Sequence, residues 1–347
     1  MPPLVSVLTP VFNGERYLRE CIESVLAQTY TSWEYVIVDN CSTDGSGRIA
    51  REYAERDPRI RVITNDHHVG VIQNHNIAFR QTSPEAKYCK VVQADDRLFP
   101  RCLEEMVAVA EAHPSVAIVS SYVLHGRRVE MDGLPWPSTI VPGRDICRWS
   151  LLGNGYVFGS PTSLLIRADF VRRRPAFFDE STIHADEEVC YEILREADFG
   201  FVHQVLTFTR IHDEDLTMSS YSRRLNTYLA GNIRVLQRYG SLYLDPDEYA
   251  DRFAARLDKY YLYLANNLFG RDAAFWSYHL RALEGLGLPL NRWKLAVTAL
   301  TGTLKTVSCP DKLVHRLMTI WRRRITRKAR VPMPVFDTTE MSASERN

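Results

Sequence analysis

Four runs of β-branched and aromatic residues early in the chain alternate with amphipathic stretches, an order that restricts the fold to α/β around a mostly parallel sheet. The first run, Leu4 to Thr9, meets Pro10, which is expected to break the strand ahead of Val11-Phe12-Asn13-Gly14. Tyr17, Leu18, Cys21, Ile22, Val25 and Leu26 then recur at helical spacing and form one apolar face. A strand from Trp33 to Val38 follows, then a helix striped by Ile49, Ala50, Tyr53 and Ala54. A strand Ile60 to Thr64, a helix Val71 to Arg80 and a strand Tyr88 to Gln93 complete the series. A strand-helix-strand crossover returns the chain in the same direction, so the carboxyl ends of these strands share one edge. Ligands of open α/β sheets bind along that edge.

Polar clusters stand at those strand ends. Asp39-Asn40-Cys41-Ser42-Thr43-Asp44-Gly45-Ser46 follows the second strand, and Asp95-Asp96 follows the fourth. Adjacent ionised carboxylates repel each other and are most stable when a divalent cation shares their oxygens. The plain alternative is an acidic turn leading into a helix after Pro100, but convergence of the clusters on one edge favours a ligand. Neither Gly-x-Gly-x-x-Gly nor a Walker-A loop follows the first strand, so phosphate binding would rest on a cation and side chains. A carboxylate and an amide, Asp39 and Asn40, suit the imide edge of uracil or thymine, or a ribose hydroxyl. A nucleoside diphosphate carrying a metal on its phosphates fits these two clusters together with Thr9 to Asn13 at the end of the first strand.

On these pieces the chain resembles the family 2 glycosyltransferases of the GT-A fold. They are Val5 to Leu18, Ser24 to Tyr30, Val38 to Ser46, Gly70-Val71 with Asn76, and Ala94-Asp95-Asp96 followed by Pro100. The resemblance covers about the first 215 residues. It implies a GT-A (Rossmann-like) domain in which Thr9, Pro10, Asn13, Glu15, Asp39, Asn40, Asn76, Asp95 and Arg210 hold a nucleotide-sugar donor. It further implies that Asp95, Asp96 and His212 hold a divalent cation, Mn or Mg. Gln93 stands where the family has the first acid of Asp-x-Asp, and His75 stands where an Arg often precedes the Asn. Phe158 to Arg167 resembles the acceptor-side strand. The acids of His184-Ala185-Asp186-Glu187-Glu188 then open a helix where inverting members carry their catalytic base, which makes Asp186 that base, with Glu187 as the near alternative. An acceptor hydroxyl must lose its proton as it attacks the anomeric carbon, and a carboxylate within reach can take it. The expected reaction is transfer of a hexosyl or deoxyhexosyl group from a UDP- or dTDP-sugar, with inversion, in cell-surface polysaccharide or glycoconjugate synthesis. The acceptor would be a glycan, lipid-linked or other hydroxyl. Two rivals differ in class: a non-catalytic GT-A-like binding protein, and a sugar-nucleotide pyrophosphorylase, whose Gly-rich basic N-terminal loop is missing.

With 43 Lys and Arg against 42 Asp and Glu, the chain gives no global electrostatic case for nucleic acid. Seven cysteines without a Cys-x-x-Cys pair point to reduced thiols and the cytoplasm. Neither a signal peptide nor a run long enough to span a membrane is expected. The expected domains are 1–215, a helical region 216–330 that could pair subunits into a homo-oligomer, and a disordered tail 331–347. Helices are expected at Tyr221 to Tyr239, Pro246 to Leu268, Asp272 to Glu284 and Arg292 to Val307, with Gly240 as the first break. Beyond them Leu313, Val314, Leu317, Met318, Trp321 and Ile325 form a stripe beside Arg322, Arg323, Arg324, Arg327, Lys328 and Arg330. A basic amphipathic helix of this kind reads as a peripheral contact with an anionic membrane.

Overall fold

A computed structural model of the protein describes residues 2–211, 225–268 and 272–307. Two compact units result, Met1–Lys259 with Asp272–Pro289, and Tyr260–Arg271 with Leu290–Asn347. The first unit is built on strands β1 (Val5–Val11), β2 (Trp33–Asp39), β3 (Ile60–Thr64) and β4 (Tyr88–Val91). Helices α1 (Glu15–Leu26), α2 (Ser46–Ala54) and α3 (Val71–Phe79) connect them. The sheet continues through β5 (Arg97–Leu98), β6 (Val116–His125), β7 (Arg128–Glu130), β8 (Ile140–Val141), β9 (Leu165–Arg167) and β10 (Asp198–Thr209). Its order is β3-β2-β1-β4-β9-β6-β10-β5, with β7 on β6 and β8 on β10. The four strands expected from the alternation are all parallel. Strand β9 runs antiparallel between β4 and β6, the short strands β5, β7 and β8 pair antiparallel on β10 and β6, and β6 and β10 pair parallel over their length.

Side chains alternate across the strands, so each face of the sheet has its own core. Val5, Val7, Tyr35 and Ile37 pack against Leu18, Cys21, Ile22 and Val25 of α1 and against Leu103 and Met106 of α4 (Cys102–Ala112). Leu8, Val36 and Val38 face the other way, into a cluster with Phe79, Phe158, Phe178, Val189 and Tyr191. Each large apolar side chain buried completely this way contributes about 1.5–3 kcal/mol.

Pro10 does not break β1. Residues on one side of that strand face β4, where Leu8 accepts from the Val92 N–H at 2.9 Å. Pro10, two positions on, points the same way past the last β4 pairing at Val91, so its missing N–H leaves no ladder bond unmade. The acceptor-side strand is also shorter than the sequence suggests. A 3₁₀ turn at Pro161–Ser163 precedes three strand residues. Helices α5 (Gly143–Leu151), α6 (Ala168–Arg172) and α7 (Ala185–Ile193) complete the domain.

After the sheet come helices Tyr228–Tyr243, Pro246–Asn266, Ala273–Gly285 and Arg292–Val307. Gly240 lies inside the first of them rather than ending it. A Cβ there would stand 2.5 Å from the Tyr249 ring, so the glycine permits close approach of the next helix; the break falls at Leu244-Asp245 instead. Among the described residues no helix is long and apolar enough to cross a membrane, and six cysteines are free. His212, the basic stripe from Leu313 to Arg330 and the tail 331–347 lie outside the described residues.

Candidate active site

The carboxyl edge of β1 and β2 is a web of backbone-to-side-chain hydrogen bonds. Asn13 adopts a left-handed conformation (φ 50°), which Asn tolerates better than most residues. Its Oδ1 accepts from the Thr43 N–H at 2.8 Å, and its own N–H donates to Ser42 Oγ at 3.0 Å. Glu15 accepts from the Gly45 N–H at 2.9 Å, and its N–H donates to Asp44 at 3.0 Å. Asp39 accepts from the Ser42 N–H at 3.0 Å; a Cβ on Gly47 would lie 3.0 Å from its other oxygen. These contacts knit the segment after β1 to the 39–46 loop, as their shared edge requires.

Several expected donor contacts are committed elsewhere. Thr9 is fully buried, its hydroxyl shared between the Val92 carbonyl (2.7 Å) and the Tyr35 hydroxyl (2.8 Å). Pro10 is buried in the strand beside Val38. The Asn40 amide grips the backbone of Val69, donating to its carbonyl at 2.8 Å and accepting from its N–H at 2.9 Å, and so closes the loop before α3. Asn76 does the same to Phe178 at 2.9 and 2.8 Å, and also donates to Glu180 at 3.1 Å. Both amides therefore shape the walls of the edge. His75 donates Nδ1–H to the Val71 carbonyl at 2.9 Å, leaves Nε2 buried without a hydrogen-bond partner among the described residues, and is pushed down in pKa by burial. A neutral imidazole is the consequence, not a fixed cation.

The acidic pair is asymmetric. Asp95 is half-buried, whereas Asp96 is buried and its oxygens accept from the Thr162 hydroxyl (2.6 Å) and the Arg210 N–H (3.1 Å). The Arg210 guanidinium donates to the Asp95 carbonyl at 3.0 Å, lies 4.4 Å from the Tyr17 ring centre and pairs with Glu20. Thr162 also accepts from the Gln93 N–H at 3.1 Å, and its carbonyl accepts from Lys90 Nζ at 2.5 Å. Lys90 is wholly buried, and desolvation pushes its amine down. Lys90 and Glu20 had no motif to announce them, and Thr162 lay in the acceptor-side segment with no role assigned to it. Their roles come from pairings between segments distant in sequence.

No group of three His, Cys, Asp or Glu converges among the described residues. Mg²⁺ and Mn²⁺ commonly use one or two carboxylates together with substrate phosphates, not an all-protein cage. The half-buried Asp95 beside an anchored Asp96 fits that donor set.

At the start of α7 the three acids diverge. Glu188 is buried and paired with Arg234 (2.7 Å) and Arg238; both arginines also hold Asp179, at 2.8 and 2.7 Å. Hydrogen bonds from Ser181, with the two guanidiniums, hold the Asp179 carboxyl down to about 2. No such cation pairs with Asp186 among the described residues. Burial pushes its carboxyl up to about 6, against the helix-start N–H groups that lower it. Glu187 is raised to about 7 by burial and by the Asp186 charge, opposed by Arg256 and Tyr191. The segment from Tyr156 to Thr162 links these acids to the Asp96 end. Tyr156 lies in the field of Glu187 and Asp186 and donates to the Gly159 carbonyl at 3.1 Å, and Thr162 holds Asp96.

The glycosyl transferase family 2 profile matches residues 6–174. The glycosyltransferase GlyG of Streptococcus pneumoniae is 31% identical over 147 residues, 42% of this chain and 46% of GlyG. The chain spans 13%, 56% and 46% of three curated relatives that it matches. The crystal structure of S. aureus TarS 1-349 in complex with UDP-GlcNAc superposes with a TM-score of 0.61 at 16% identity, covering 86% of this chain and 88% of that one. The mannosyltransferase PcManGT from Pyrobaculum calidifontis, in complex with GDP-Man and Mn²⁺, gives 0.53 at 17% identity, covering 89% and 82%. The parallel sheet, the acidic strand end and the profile match agree: residues 6–174 match the glycosyl transferase family 2 model, and the chain folds as a GT-A domain.

Proposed function

We propose that the chain transfers a sugar from a UDP- or dTDP-sugar to an acceptor hydroxyl, with inversion, in the assembly of a polysaccharide or glycoconjugate. The observation that carries this reading is Asp186, a half-buried carboxylate at a helix start, pushed up to about 6 by burial and with no cation paired with it among the described residues. A general base works best when its pKa lies near the working pH, because it must be ionised yet still basic enough to take a proton. Asp186 would take the acceptor proton as the hydroxyl oxygen bonds to the anomeric carbon and the diphosphate oxygen leaves. Glu187, pushed up to about 7, is the alternative base and differs from Asp186 in having Tyr191 and Arg256 as partners.

On the donor side, Asp95 with Asp96 would hold a divalent cation on the diphosphate, where such an ion supplies Lewis-acid stabilisation of the leaving group. Asp96 keeps the strand end in register through Thr162 and the Arg210 N–H. Arg210 adds positive charge at the same end, tempered by Glu20. Asp39, Asn13 and Glu15 would border the nucleoside, on a wall that Asn40 and Asn76 shape. His212 is a further proposed ligand of the cation and lies outside the described residues.

Release of nucleoside diphosphate from a panel of UDP- and dTDP-sugars with Mn²⁺ or Mg²⁺ tests the reading. Asp186→Asn should lower turnover by about 10² to 10⁴ while leaving nucleotide affinity unchanged. Release of pyrophosphate instead would favour a pyrophosphorylase. Binding without turnover in the parent would favour a non-catalytic protein.

A further inference from the structure

The helix Arg292–Val307 carries an apolar face that stands exposed among the described residues. Trp293 is 78% exposed, Val297 40% and Leu300 65%, and Ala296 is exposed beside them. Their spacing of three and four residues places them in one stripe. The opposite side is anchored: Leu295 is buried, the Asn291 side chain caps the helix through the Lys294 N–H at 2.9 Å, and the Asn291 N–H donates to the Tyr261 hydroxyl at 2.8 Å. The exposed stripe thus belongs to a helix held on its other side.

Charge identifies what the stripe meets. Residues 285–336 contain eleven Lys and Arg and a single acid, Asp311, a balance of +10 within a chain whose total is +1. The remaining residues therefore carry −9. This segregation is invisible in the total. A second copy of the helix would set like charge against like, and the residues after Val307 carry the same sign. Nucleic acid would use the charge but not a Trp-Val-Leu stripe. An anionic bilayer uses both, because apolar side chains enter the headgroup boundary while basic residues meet anionic lipids.

We propose that the Trp293-Ala296-Val297-Leu300 face docks on an anionic lipid surface, the net positive charge of the 285–336 sequence setting the lipid preference.

Co-sedimentation of the full chain with phosphatidylcholine vesicles, with and without phosphatidylglycerol, tests the proposal. The parent should bind only the anionic vesicles, less tightly as salt shortens the Debye length. Trp293→Ser with Leu300→Ser should weaken binding by about tenfold or more, with an unchanged circular dichroism spectrum. Trp293→Lys adds a positive charge but removes the apolar contact, and should also weaken binding. The proposal is overturned if the parent ignores anionic vesicles, if the double variant binds as the parent does, or if Trp293→Lys binds more tightly. A dimer in lipid-free sedimentation equilibrium that dissociates in the double variant, with vesicle binding unchanged, would overturn it in favour of a second copy.

Discussion

Replacing Asp186 with Asn should stabilise the protein at neutral pH although it removes the proposed base. Burial displaces this carboxyl from 3.8 to about 6. One pKa unit corresponds to about 1.4 kcal/mol, so keeping the group ionised in the folded chain costs about 3 kcal/mol at neutral pH. The folded pKa lies above the unfolded one, so the penalty is complete above about pH 6 and fades as pH falls toward 4, where both states bind the proton. Asn carries no charge, but its amide needs partners of its own, which reduces the gain to about 1–2 kcal/mol. At about 2–4 °C per kcal/mol, Tm should rise by about 2–8 °C. Paired thermal denaturation followed by circular dichroism at about pH 7.5 and about pH 4 measures it. No gain at the higher pH, or an equal gain at both, would refute a desolvated, ionised Asp186.

The same group sets a pH profile: kcat/KM should fall on the acid side with an apparent pKa near 6, and a profile flat through that range would exclude Asp186 as the ionising base. Asp95→Ala should abolish the dependence of UDP or dTDP affinity on Mn²⁺; calorimetry that finds the same dependence with and without chelator in parent and variant removes Asp95 from the cation site. Thr162→Val keeps shape but leaves Asp96 without its 2.6 Å donor, and should raise the donor KM about tenfold. Thr162→Ser should restore it, and equal kinetics in both variants would make the hydroxyl irrelevant. Glu188→Gln breaks the pairs with Arg234 and Arg238 and should cost about 2 kcal/mol in urea denaturation, the arginines being partly exposed; an unchanged midpoint would show those pairs contribute nothing net.

The parallel half of the fold was legible because β1, β2 and β4 are buried on both faces and the helices between them carry regular stripes. Ile60–Thr64 and Arg292–Val307 match their expected limits. Pro10 and Gly240 misled for one reason: local preference cannot see a neighbouring strand that has already ended, or a helix that must come close. At the site, the sequence located the strand ends but not the direction of each side chain. Asn40 and Asn76 looked like ligand contacts, yet their amides serve Val69 and Phe178. Lys90 read as one more residue of an apolar strand, and only the antiparallel insertion of β9 brings the Thr162 carbonyl to its amine.

The most direct measurement of the central claim is the anomeric configuration of the sugar first released when water serves as acceptor, followed by proton NMR before mutarotation. The chain with Mn²⁺ and a cleavable α-linked UDP- or dTDP-sugar should give the β-sugar first, with nucleoside diphosphate, and Asp186→Asn should give neither at a comparable rate. The α-sugar appearing first, or cleavage unaffected by Asp186→Asn, would contradict a single displacement with Asp186 as its base.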